Sequence, residues 1–361
     1  MDAASVSRRP DARRRLLTVV TWLTTPLLPD DYLGFVNPLW SSREMRARVL
    51  AVVPETRDSA TLVLRPGREW SGHQAGQNVR LAVEVDGVRH HRAYSLTSAP
   101  GGAGAQGSIA VTVKAVAGGT VSAHLVHGTA PGAVIGLEPA VGTFLLADPL
   151  PARLRFITAG SGITPVMGML RTLLATRAGR LPDLDLVHAA RTADDIIFGA
   201  ELRDLAARGA LRLREWHTAA RGRPTPAELV GDGPVQDTWA CGPGALLDGL
   251  QAHFAAVGAS ERLRVERFGT PMVAAGAGGR IAFTRSGRTV DADGATPLLH
   301  AGEGAGALLP SGCRMGNCHT CVGRLRSGRV CDLRTGEVHG TPGDMVQTCI
   351  SAAAGPVEID L

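Results

Sequence analysis

Short segments in which hydrophobic and polar residues alternate dominate the chain between Arg46 and Asp148. The clearest of them are RARVLAVVP, ATLVLRP, NVRLAVEVDG and SIAVTVKAV, and Gly, Pro, Asp and Ser residues lie between them. A hydrophobic period of two is typical of β-strands that bury one face. The pattern therefore predicts an antiparallel β-barrel domain over residues 46–150.

A helical period enters the pattern after Leu154. TPVMGMLRTLLATR, ADDIIFGAELRDLAARG and PGALLDGLQAHFAAVG have helical spacing, and they alternate with the short apolar segments LRFITAG, LDLVHAAR, LRLREWHT and DTWACG. Thr164 is the expected N-cap of the first helix and Pro165 its first residue. Strands that alternate with helices predict a parallel sheet wrapped by helices, an α/β domain over residues 151–268.

The tail returns to strands after a stretch of small residues, GTPMVAAGAGG, which we interpret as a linker over residues 269–279. RIAFTRSG, RTVDAD and the closing VEIDL predict strands, and a helix is expected from Thr296–Pro297. Gly302 and Gly304 lie inside this helix, where each should cost about 1 kcal/mol. These elements predict an α+β module of the β-grasp type over residues 280–361. A multidomain protein suits the chain length of 361 residues.

Residues 1–45 form an N-terminal extension in which the arginines of SRRPDARRR precede the apolar run LLTVVTWLTTPLL. The run is shorter than the roughly 20 apolar residues that a membrane-spanning helix needs. An export signal is an alternative, but no A-x-A-like cleavage site follows the run. We interpret the extension as a basic amphipathic helix, packed on the body of the protein or lying at a membrane surface. The protein is accordingly expected in the cytoplasm, with peripheral membrane contact through residues 1–45.

Charge and cysteine content argue against two classes of protein. The 38 basic and 33 acidic residues leave a net charge of +5, and excess positive charge lies early in the chain rather than in one folded stripe. Nucleic acid is therefore not an expected partner. Six cysteines are too few for a disulfide scaffold in a chain of 361 residues. Four of them occur late in the chain, which is typical of metal binding.

The segment GCRMGNCHTCVG contains three of these late cysteines. With a further cysteine that follows after 27 residues they form the pattern C-x4-C-x2-C…C, at Cys313, Cys318, Cys321 and Cys349. This is the spacing of plant-type [2Fe–2S] clusters. A zinc site, or buried thiols without a metal, is the alternative, although zinc sites usually offer paired ligands. The spacing indicates electron transfer.

Two motifs in the barrel region have the chemistry to bind a flavin. In HHRAYSLTSAP, Arg92 can pair with a phosphate, Tyr94 can stack on a ring, and Ser95 can hydrogen-bond to a ring nitrogen. VKAVAGGTVSAHL places Gly119 and Ser122 at a turn that opens a helix, which suits a diphosphate.

Two further motifs lie at strand ends of the α/β region. In TAGSGITP, Gly160 and Gly162 allow close backbone approach at a helix N-terminus, which favours an anionic pyrophosphate. The motif is not the G-x-G-x-x-G fingerprint, and an ordinary βα turn is the alternative. TWACGPGALLDGL places Cys241 at a strand end before a Gly-Pro turn.

RAYSLTS, GGTVS, GSGITPVMGML, CGPGALL and the terminal cysteine pattern occur in the order found in the ferredoxin–NADP reductase superfamily. From residue 46 to its end, the chain resembles reductases with a fused C-terminal plant-type ferredoxin domain, such as phthalate dioxygenase reductase. LTTPLLPDDYLGFVNPLWS and REWSGHQAGQNV resemble actinobacterial NADPH-dependent reductases that serve membrane-bound acyl-CoA desaturases.

The resemblance implies a role for individual residues. It assigns flavin contacts to Arg92, Tyr94, Ser95, Leu96, Thr97 and Ser98, and diphosphate contacts to Gly119, Val121 and Ser122. It assigns the nicotinamide nucleotide to Gly160, Gly162, Thr164 and Pro165, with Cys241 and Gly242 beside the reacting ring. Ser95, Cys241, Glu266 and Phe268 are the implied catalytic residues near the flavin.

The resemblance also implies the cofactors and the partner. FAD is favoured over FMN because RAYSLTS keeps a Ser where FAD-binding members have one. NADPH is favoured over NADH because Arg191, Arg221 and Arg223 could contact a 2′-phosphate, although solvated surface charges are the alternative. Electrons would pass from NADPH through FAD and the [2Fe–2S] cluster to an acyl-CoA desaturase. A soluble mono- or dioxygenase is the alternative acceptor, and an iron–sulfur redox-sensing module is the alternative of another class.

Overall fold

The computed structural model describes residues 36–41, 44–85, 87–101, 107–117, 119–176, 181–268, 275–312, 314, 316 and 319–361. Most of the predicted N-terminal extension and part of the predicted linker lie outside these residues. Among the described residues, no helix is long and apolar enough to cross a membrane.

The first domain, here called the barrel domain, is an antiparallel sheet. Its strands are β1 (Arg46–Thr56), β2 (Ser59–Pro66), β3 (Asn78–Val85), β4 (Val88–Ser95), β5 (Ile109–Lys114) and β6 (Val134–Leu137), in the order β4-β3-β6-β1-β2-β5. A bridge between Leu96 and Val111 joins the two outer strands, so the sheet closes on itself. The inward-facing apolar residues that produced the period of two, including Leu62, Leu81 and Val111, form its core. A short helix α1 (Thr120–Ala123) continues into a π-helix, His124–Gly128.

The second domain, the α/β domain, contains a parallel sheet. Its strands are β7 (Arg153–Ala159), β8 (Asp183–Ala190), β9 (Arg212–His217), β10 (Asp237–Cys241) and β11 (Leu263–Glu266), in the order β11-β10-β7-β8-β9. The helices are α2 (Ile163–Thr176), α3 (Gly199–Ala207), α4 (Thr218–Arg221), α5 (Pro226–Val230) and α6 (Gly244–Ala256). The α2 and α3 side chains pack on one face of the sheet, and those of α5 and α6 pack on the other.

The start of α2 differs from its predicted cap. Thr164 was expected as the N-cap, but the helix begins at Ile163 and is preceded by a 3-10 turn, Gly160–Gly162. Thr164 is therefore already helical, and its hydroxyl donates to the carbonyl of Ser161 at 2.9 Å. The prediction was wrong because the glycine turn itself starts the helical path.

The C-terminal domain is a mixed sheet with one helix. Its strands are β12 (Gly279–Phe283), β13 (Arg288–Ala292), β14 (Val322–Asp332), β15 (Val338–His339), β16 (Met345–Gln347) and β17 (Ser351–Asp360). The order is β13-β12-β17-β14-β15, β16 pairs with β14, and β12 runs parallel to β17. Helix α7 (Leu298–Gly304) packs Leu298 and Ala301 against this sheet. The three domains confirm the predicted multidomain fold class.

Gly302 has a packing role that its helix propensity did not reveal. A Cβ at this position would lie 2.5 Å from Leu309 Cδ1 and 2.6 Å from Phe283 Cζ. Gly302 therefore lets α7 approach Phe283 closely, and this contact offsets its cost in helix propensity. Gly304 has open space around it.

Candidate redox active site

The turn between β7 and α2 lies directly against the end of β10. A Cβ on Gly162 would overlap the carbonyl group of Cys241, 2.5 Å from its carbon, and would lie 2.8 Å from the nitrogen of Gly242. Gly160 in the same turn has a φ of 54°, a conformation that favours glycine. The structure thus brings together the two glycine-containing turns that the sequence singled out separately. Their close backbone approach forms a cradle that fits a nucleotide diphosphate.

The same helix α2 packs on the RAYSLTS segment (residues 92–98) of the barrel domain. A Cβ on Gly168 would lie 2.5 Å from the carbonyl oxygen of Leu96. Leu96, Thr97 and Ser98 are all buried, as are Thr164 and Pro165 in the first turn of α2. The residues predicted to bind the flavin and those predicted to bind the nucleotide therefore lie on elements that pack against each other. Gly168 had no predicted role, although its position inside the helix GITPVMGML was a signal that could have identified it.

Arg92 and Tyr94 of the RAYSLTS segment are both partly buried. Burial lowers the pKa of the Arg92 guanidinium, and the nearby positive charge of Arg314 lowers it further. Burial raises the pKa of Tyr94 to about 12, against the opposing charge of Arg92. A desolvated cation beside a second cation is a favourable place for an anion, so these residues fit a flavin phosphate.

The predicted diphosphate turn is present at the start of α1. The Ser122 hydroxyl accepts a hydrogen bond from the Val116 nitrogen at 3.1 Å and donates to the carbonyl of Gly119 at 3.3 Å. Val121 is buried against the barrel core. The Ser122 side chain therefore holds the turn in shape.

Cys241 and Glu266 face each other across neighbouring strands. The two residues are paired in the register of β10 and β11. Burial raises the pKa of the Cys241 thiol, and the Glu266 carboxylate raises it further, so Cys241 keeps its proton. Burial also raises the pKa of Glu266 to about 7. Glu266 can thus hold or release a proton near neutral pH. Phe268, two residues further on, is 45 % exposed.

We expect Glu266→Gln to remove a pH-dependent step. In the wild type, flavin reduction by NADPH should change with an apparent pKa near 7, and the variant should lack this step. The stability of the folded protein should also depend on pH, because burial makes the folded state hold the Glu266 proton more tightly than the unfolded state does. The free energy of unfolding of the wild type should therefore fall as pH rises from 4.5 to about 7, because the unfolded chain loses this proton first. Glu266→Gln cannot lose the proton. Relative to the wild type, its free energy of unfolding should increase by about 1–2 kcal/mol when the pH is raised from 5 to 8.

Stopped-flow absorbance and thermal unfolding at pH 5 and pH 8 measure the two effects. Glu261→Gln, at an exposed carboxylate of the same domain, is the control and should change neither. An unchanged pH profile in Glu266→Gln would contradict the assignment of this proton to Glu266.

The predicted 2′-phosphate arginines follow β8 and β9. The nitrogen of Ala219 donates to the carbonyl of Arg191 at 2.9 Å, which holds the two segments together. The Arg221 guanidinium lies 3.7 Å from the centre of the Trp216 ring. Arg221 and Trp216 line a cavity of about 390 Å³. Its other lining residues are Val187, Arg214, Glu215, Ala227, Glu228, Gly231 and Asp232. Arg191 and Arg223 are exposed.

Cys321 and Cys349 lie side by side in the C-terminal domain. Both are buried, and a hydrogen bond from the Cys349 side chain holds the pKa of the Cys321 thiol below its usual range. The other two predicted ligands, Cys313 and Cys318, lie outside the described residues, and within the described part of the chain no group of three metal-ligating side chains occurs. A buried pair of thiols, one of them acidic, fits an iron–sulfur cluster.

The loop around these cysteines (residues 312–321, the cluster loop) has an unusual backbone. Arg314, Gly316 and His319 have φ angles of 59°, 77° and 55°. The Gln347 side chain donates to the carbonyl of Gly316 at 2.8 Å and braces the loop from β16.

The cluster loop also borders the barrel domain. Arg314 pairs with Glu303 of α7, with Nη1 2.7 Å from Oε2. On the other side, Arg92 Nη1 lies 3.5 Å from the carbonyl oxygen of Gly312. The residue predicted to hold the flavin phosphate is therefore next to the loop predicted to hold the cluster.

Family models match each of the three domains. Residues 49–145 match an oxidoreductase FAD-binding domain, residues 156–250 an oxidoreductase NAD-binding domain, and residues 281–354 a 2Fe-2S iron-sulfur cluster binding domain.

Individual proteins are similar over most of the chain. An NADPH oxidoreductase of Mycobacterium tuberculosis is 49% identical over 96% of this chain and 92% of the relative. The ferredoxin reductase component of a 3-ketosteroid-9-alpha-monooxygenase of the same species is 31% identical, over 80% and 82% of the two chains. The solved structure of phthalate dioxygenase reductase has the same fold, with a TM-score of 0.61 and 23% identity over 88% of this chain and 97% of that chain.

Proposed function

Because the chain belongs to the ferredoxin–NADP reductase superfamily, in the group with a fused C-terminal [2Fe–2S] domain, we propose that it carries electrons from NADPH to a membrane-bound acyl-CoA desaturase. The chain is an NAD(P)H oxidoreductase of the ferredoxin reductase type, with FAD-binding, NAD-binding and 2Fe-2S domains. When the flavin, the nicotinamide nucleotide and the cluster are bound, they supply hydride transfer from nicotinamide to flavin and one-electron transfer through the cluster. The proposal adds the donor, the acceptor and the residues that serve them.

One observation carries the proposed electron route: both outer domains touch the RAYSLTS segment of the barrel domain. Gly168 of the α/β domain lies against the carbonyl of Leu96. Arg92, four residues earlier, lies beside Gly312 of the cluster loop. The flavin would thus be held between the nucleotide cradle and the cluster loop, which is the order in which the electrons have to pass. Cys241 and Glu266 would border the reacting rings, and the Glu266 carboxyl would exchange the accompanying proton.

NADPH as the preferred donor rests on the arginines that follow β8 and β9. Arg191 and Arg221 lie on adjoining segments at the carboxyl edge of the sheet, and Arg223 is exposed two residues beyond Arg221. A guanidinium that is already stacked on Trp216 loses little further freedom when it binds a phosphate. Acidic residues in the same cavity would weaken anion binding, so the preference for NADPH should be moderate.

A desaturase as the acceptor rests on the N-terminal region. At the point where the described chain begins, Val36 is 74 % exposed and Trp40 is 37 % exposed. The Arg68 guanidinium lies 5.1 Å from the Trp40 ring. Exposed apolar and basic groups that continue a basic, apolar extension suit a membrane surface. A reductase held at the membrane would meet a membrane-bound acceptor at a raised effective concentration.

A soluble oxygenase is the second candidate acceptor. Its support is that several relatives are named as reductase components of monooxygenases, among them the 3-ketosteroid-9-alpha-monooxygenase component and a glycine betaine monooxygenase reductase subunit of Pseudomonas aeruginosa. An iron–sulfur redox-sensing module is disfavoured because the FAD-binding and NAD-binding domains of an oxidoreductase are both present.

Deletion of residues 1–35 should separate the two acceptors. Residues beyond 35 are kept because Leu39 packs on Gly67 and the Leu137 nitrogen donates to the Met45 carbonyl. We expect the shortened protein to reduce ferricyanide normally but to support desaturation in membranes about 10- to 100-fold less well, because its local concentration falls. Flotation with anionic vesicles should show binding of the full chain only.

The same preparations test the donor and the rival acceptor. Anaerobic titration should bleach the flavin and cluster bands at lower concentrations of NADPH than of NADH. If the deletion leaves desaturase coupling unchanged, or if only a soluble oxygenase accepts electrons from the full chain, the desaturase proposal is wrong.

A further inference from the structure

Arg171 lies in the third turn of α2 and makes hydrogen bonds on both sides of the boundary between the α/β domain and the barrel domain. Its Nε and Nη2 donate to the two carboxylate oxygens of Glu201 on α3, at 3.0 and 2.6 Å. Its remaining nitrogen, Nη1, donates to the carbonyl oxygen of Thr97 in the barrel domain at 2.8 Å. All three guanidinium nitrogens are therefore used, and one of them crosses to the RAYSLTS segment.

Phe198 of the α/β domain contacts Arg171 and also makes a second connection to the barrel domain. The Arg171 guanidinium lies 4.9 Å from the centre of the Phe198 ring, which is buried. Phe198 has a φ of 61°, a conformation that is uncommon for a bulky residue. Its backbone forms a hydrogen bond with the carboxylate of Glu55 on β1 of the barrel domain. The ring and the backbone of Phe198 thus serve two different partners.

Threonine hydroxyls inside the barrel domain connect these two crossing points. Thr61 Oγ1 donates to Glu55 Oε1 at 2.6 Å and lies 2.7 Å from Thr112 Oγ1. Thr112 Oγ1 lies 3.3 Å from Thr97 Oγ1. The contacts form a closed ring that runs through both domains, and breaking any one member weakens its neighbours.

The position of Arg171 along α2 connects this closed ring of contacts to the nucleotide cradle. Gly168 and Arg171 are three residues apart and so lie on one face of the helix. Gly168 meets the carbonyl of Leu96, and Arg171 meets the carbonyl of Thr97. Two successive carbonyls of the RAYSLTS segment are thereby fixed to one helix. The opposite end of that helix begins at the Gly160–Gly162 turn, the nucleotide cradle.

We propose that Arg171 is a positioning residue that sets the distance and angle between the nucleotide cradle and the RAYSLTS segment, and thereby the alignment of nicotinamide with flavin. It acts through the Thr97 carbonyl and Glu201 and touches neither cofactor. Hydride transfer needs the two reacting rings in near-attack geometry, and a displacement of 1 Å costs about 100-fold in rate. The proposal concerns only the nucleotide-to-flavin step and is independent of the acceptor.

Arginine is needed here because the contacts have a fork geometry. Lysine would keep the positive charge but could not bind both Glu201 oxygens and the Thr97 carbonyl together. Glu201→Gln would leave the bond from Arg171 to Thr97 in place while weakening its support. The expected order of effects is therefore Arg171→Gln, then Arg171→Lys, then Glu201→Gln.

The test measures flavin reduction by NADPH in single-turnover experiments on the full chain loaded with its cofactors. Arg171→Gln should lower the rate constant at saturating NADPH about 10- to 100-fold, while the dissociation constant for NADPH changes less than about 3-fold. The long-wavelength charge-transfer absorption of the stacked rings should weaken in parallel. Hydrogen exchange at the backbone amides of residues 96–98 should speed up, and this readout does not depend on activity.

Arg208→Gln is the matched control, because it breaks an exposed Arg–Asp pair, with Asp204, at the end of α3. It should leave all four measurements unchanged. A rate within 2-fold of wild type in Arg171→Gln and Arg171→Lys would overturn the proposal, as would a slow rate explained entirely by lost flavin. If Arg171→Gln does not fold, Arg171→Lys and Glu201→Gln carry the test with the same readouts. Failure of the wild type to be reduced by NADPH would instead contradict the proposed donor.

Discussion

Replacement of Cys349 by Ala should abolish electron delivery to cytochrome c, which we expect to draw its electrons from the cluster, while direct reduction of ferricyanide by the flavin continues. Cys349 is 1 % exposed and lies beside Cys321, whose thiol pKa it lowers. Its loss removes one of four predicted ligands and makes the Cys321 thiolate harder to form. Changes in the groups that merely support a metal ligand already cost about 10- to 100-fold, so loss of a ligand should cost more. Visible absorption and iron content of the purified variant measure the cluster directly.

Cys331→Ala is the control for this experiment. Cys331 is also 1 % exposed and belongs to the same domain, but it lies in β14 outside the ligand pattern. We expect this variant to keep the cluster and the cytochrome c activity. A Cys349→Ala protein with normal cluster absorption, or a Cys331→Ala protein without it, would show that the ligand set is misassigned.

Replacement of Gly162 by Ala should weaken the binding of NADPH and NADP⁺ while leaving flavin content unchanged. The new methyl group would overlap the carbonyl of Cys241 and approach the nitrogen of Gly242, both of which are backbone groups that cannot rotate away. The two turns of the nucleotide cradle would have to separate. Overpacking of this kind costs about 1–3 kcal/mol, which corresponds to about 5- to 150-fold in affinity. Isothermal titration calorimetry of the oxidised protein with NADP⁺ measures the change in affinity.

Gly233→Ala is the control for the cradle. Gly233 lies in the same domain, and a Cβ there would meet nothing within 4 Å. The Gly233→Ala protein should have the same affinity for NADP⁺ and the same thermal stability as the wild type. Normal affinity in Gly162→Ala would mean that the nucleotide does not use the contact between the two turns.

The fold class was predictable because each domain has a distinct periodicity. Alternating residues in β1, β2, β3 and β5 produced the barrel prediction, and alternating strands and helices after Leu154 produced the parallel sheet. Such patterns survive in the sequence because each residue's burial is set mainly by its own strand or helix. The start of α2 was not predictable to the residue, since the 3-10 turn at Gly160–Gly162 takes over the capping role that the pattern gave to Thr164.

Local chemistry along one turn or one loop was likewise determined by the sequence. The first three cysteines of the pattern, the RAYSLTS segment and the GSGITP turn each occupy a short stretch of sequence, so the chain itself keeps their residues close together. That Glu266 and Cys241 belong to one site was implied by the family resemblance and not by their own local pattern. That Glu266 has a raised pKa depends on the burial that the strands β10 and β11 impose.

Only the tertiary structure decided how the three domains meet. Arg171 and Thr97 are 74 residues apart in the chain, and Arg92 and Gly312 are 220 apart. Hydrophobic periodicity states that a residue is buried or exposed, but it carries no information about the partner it will meet. For the same reason Gly302 appeared only as a weak point of its helix and Gly168 had no predicted role, whereas the structure gives each a close contact with a distant element. The sequence alone therefore determined the domains and their chemistry, and the packing between distant segments determined the alignment on which electron transfer depends.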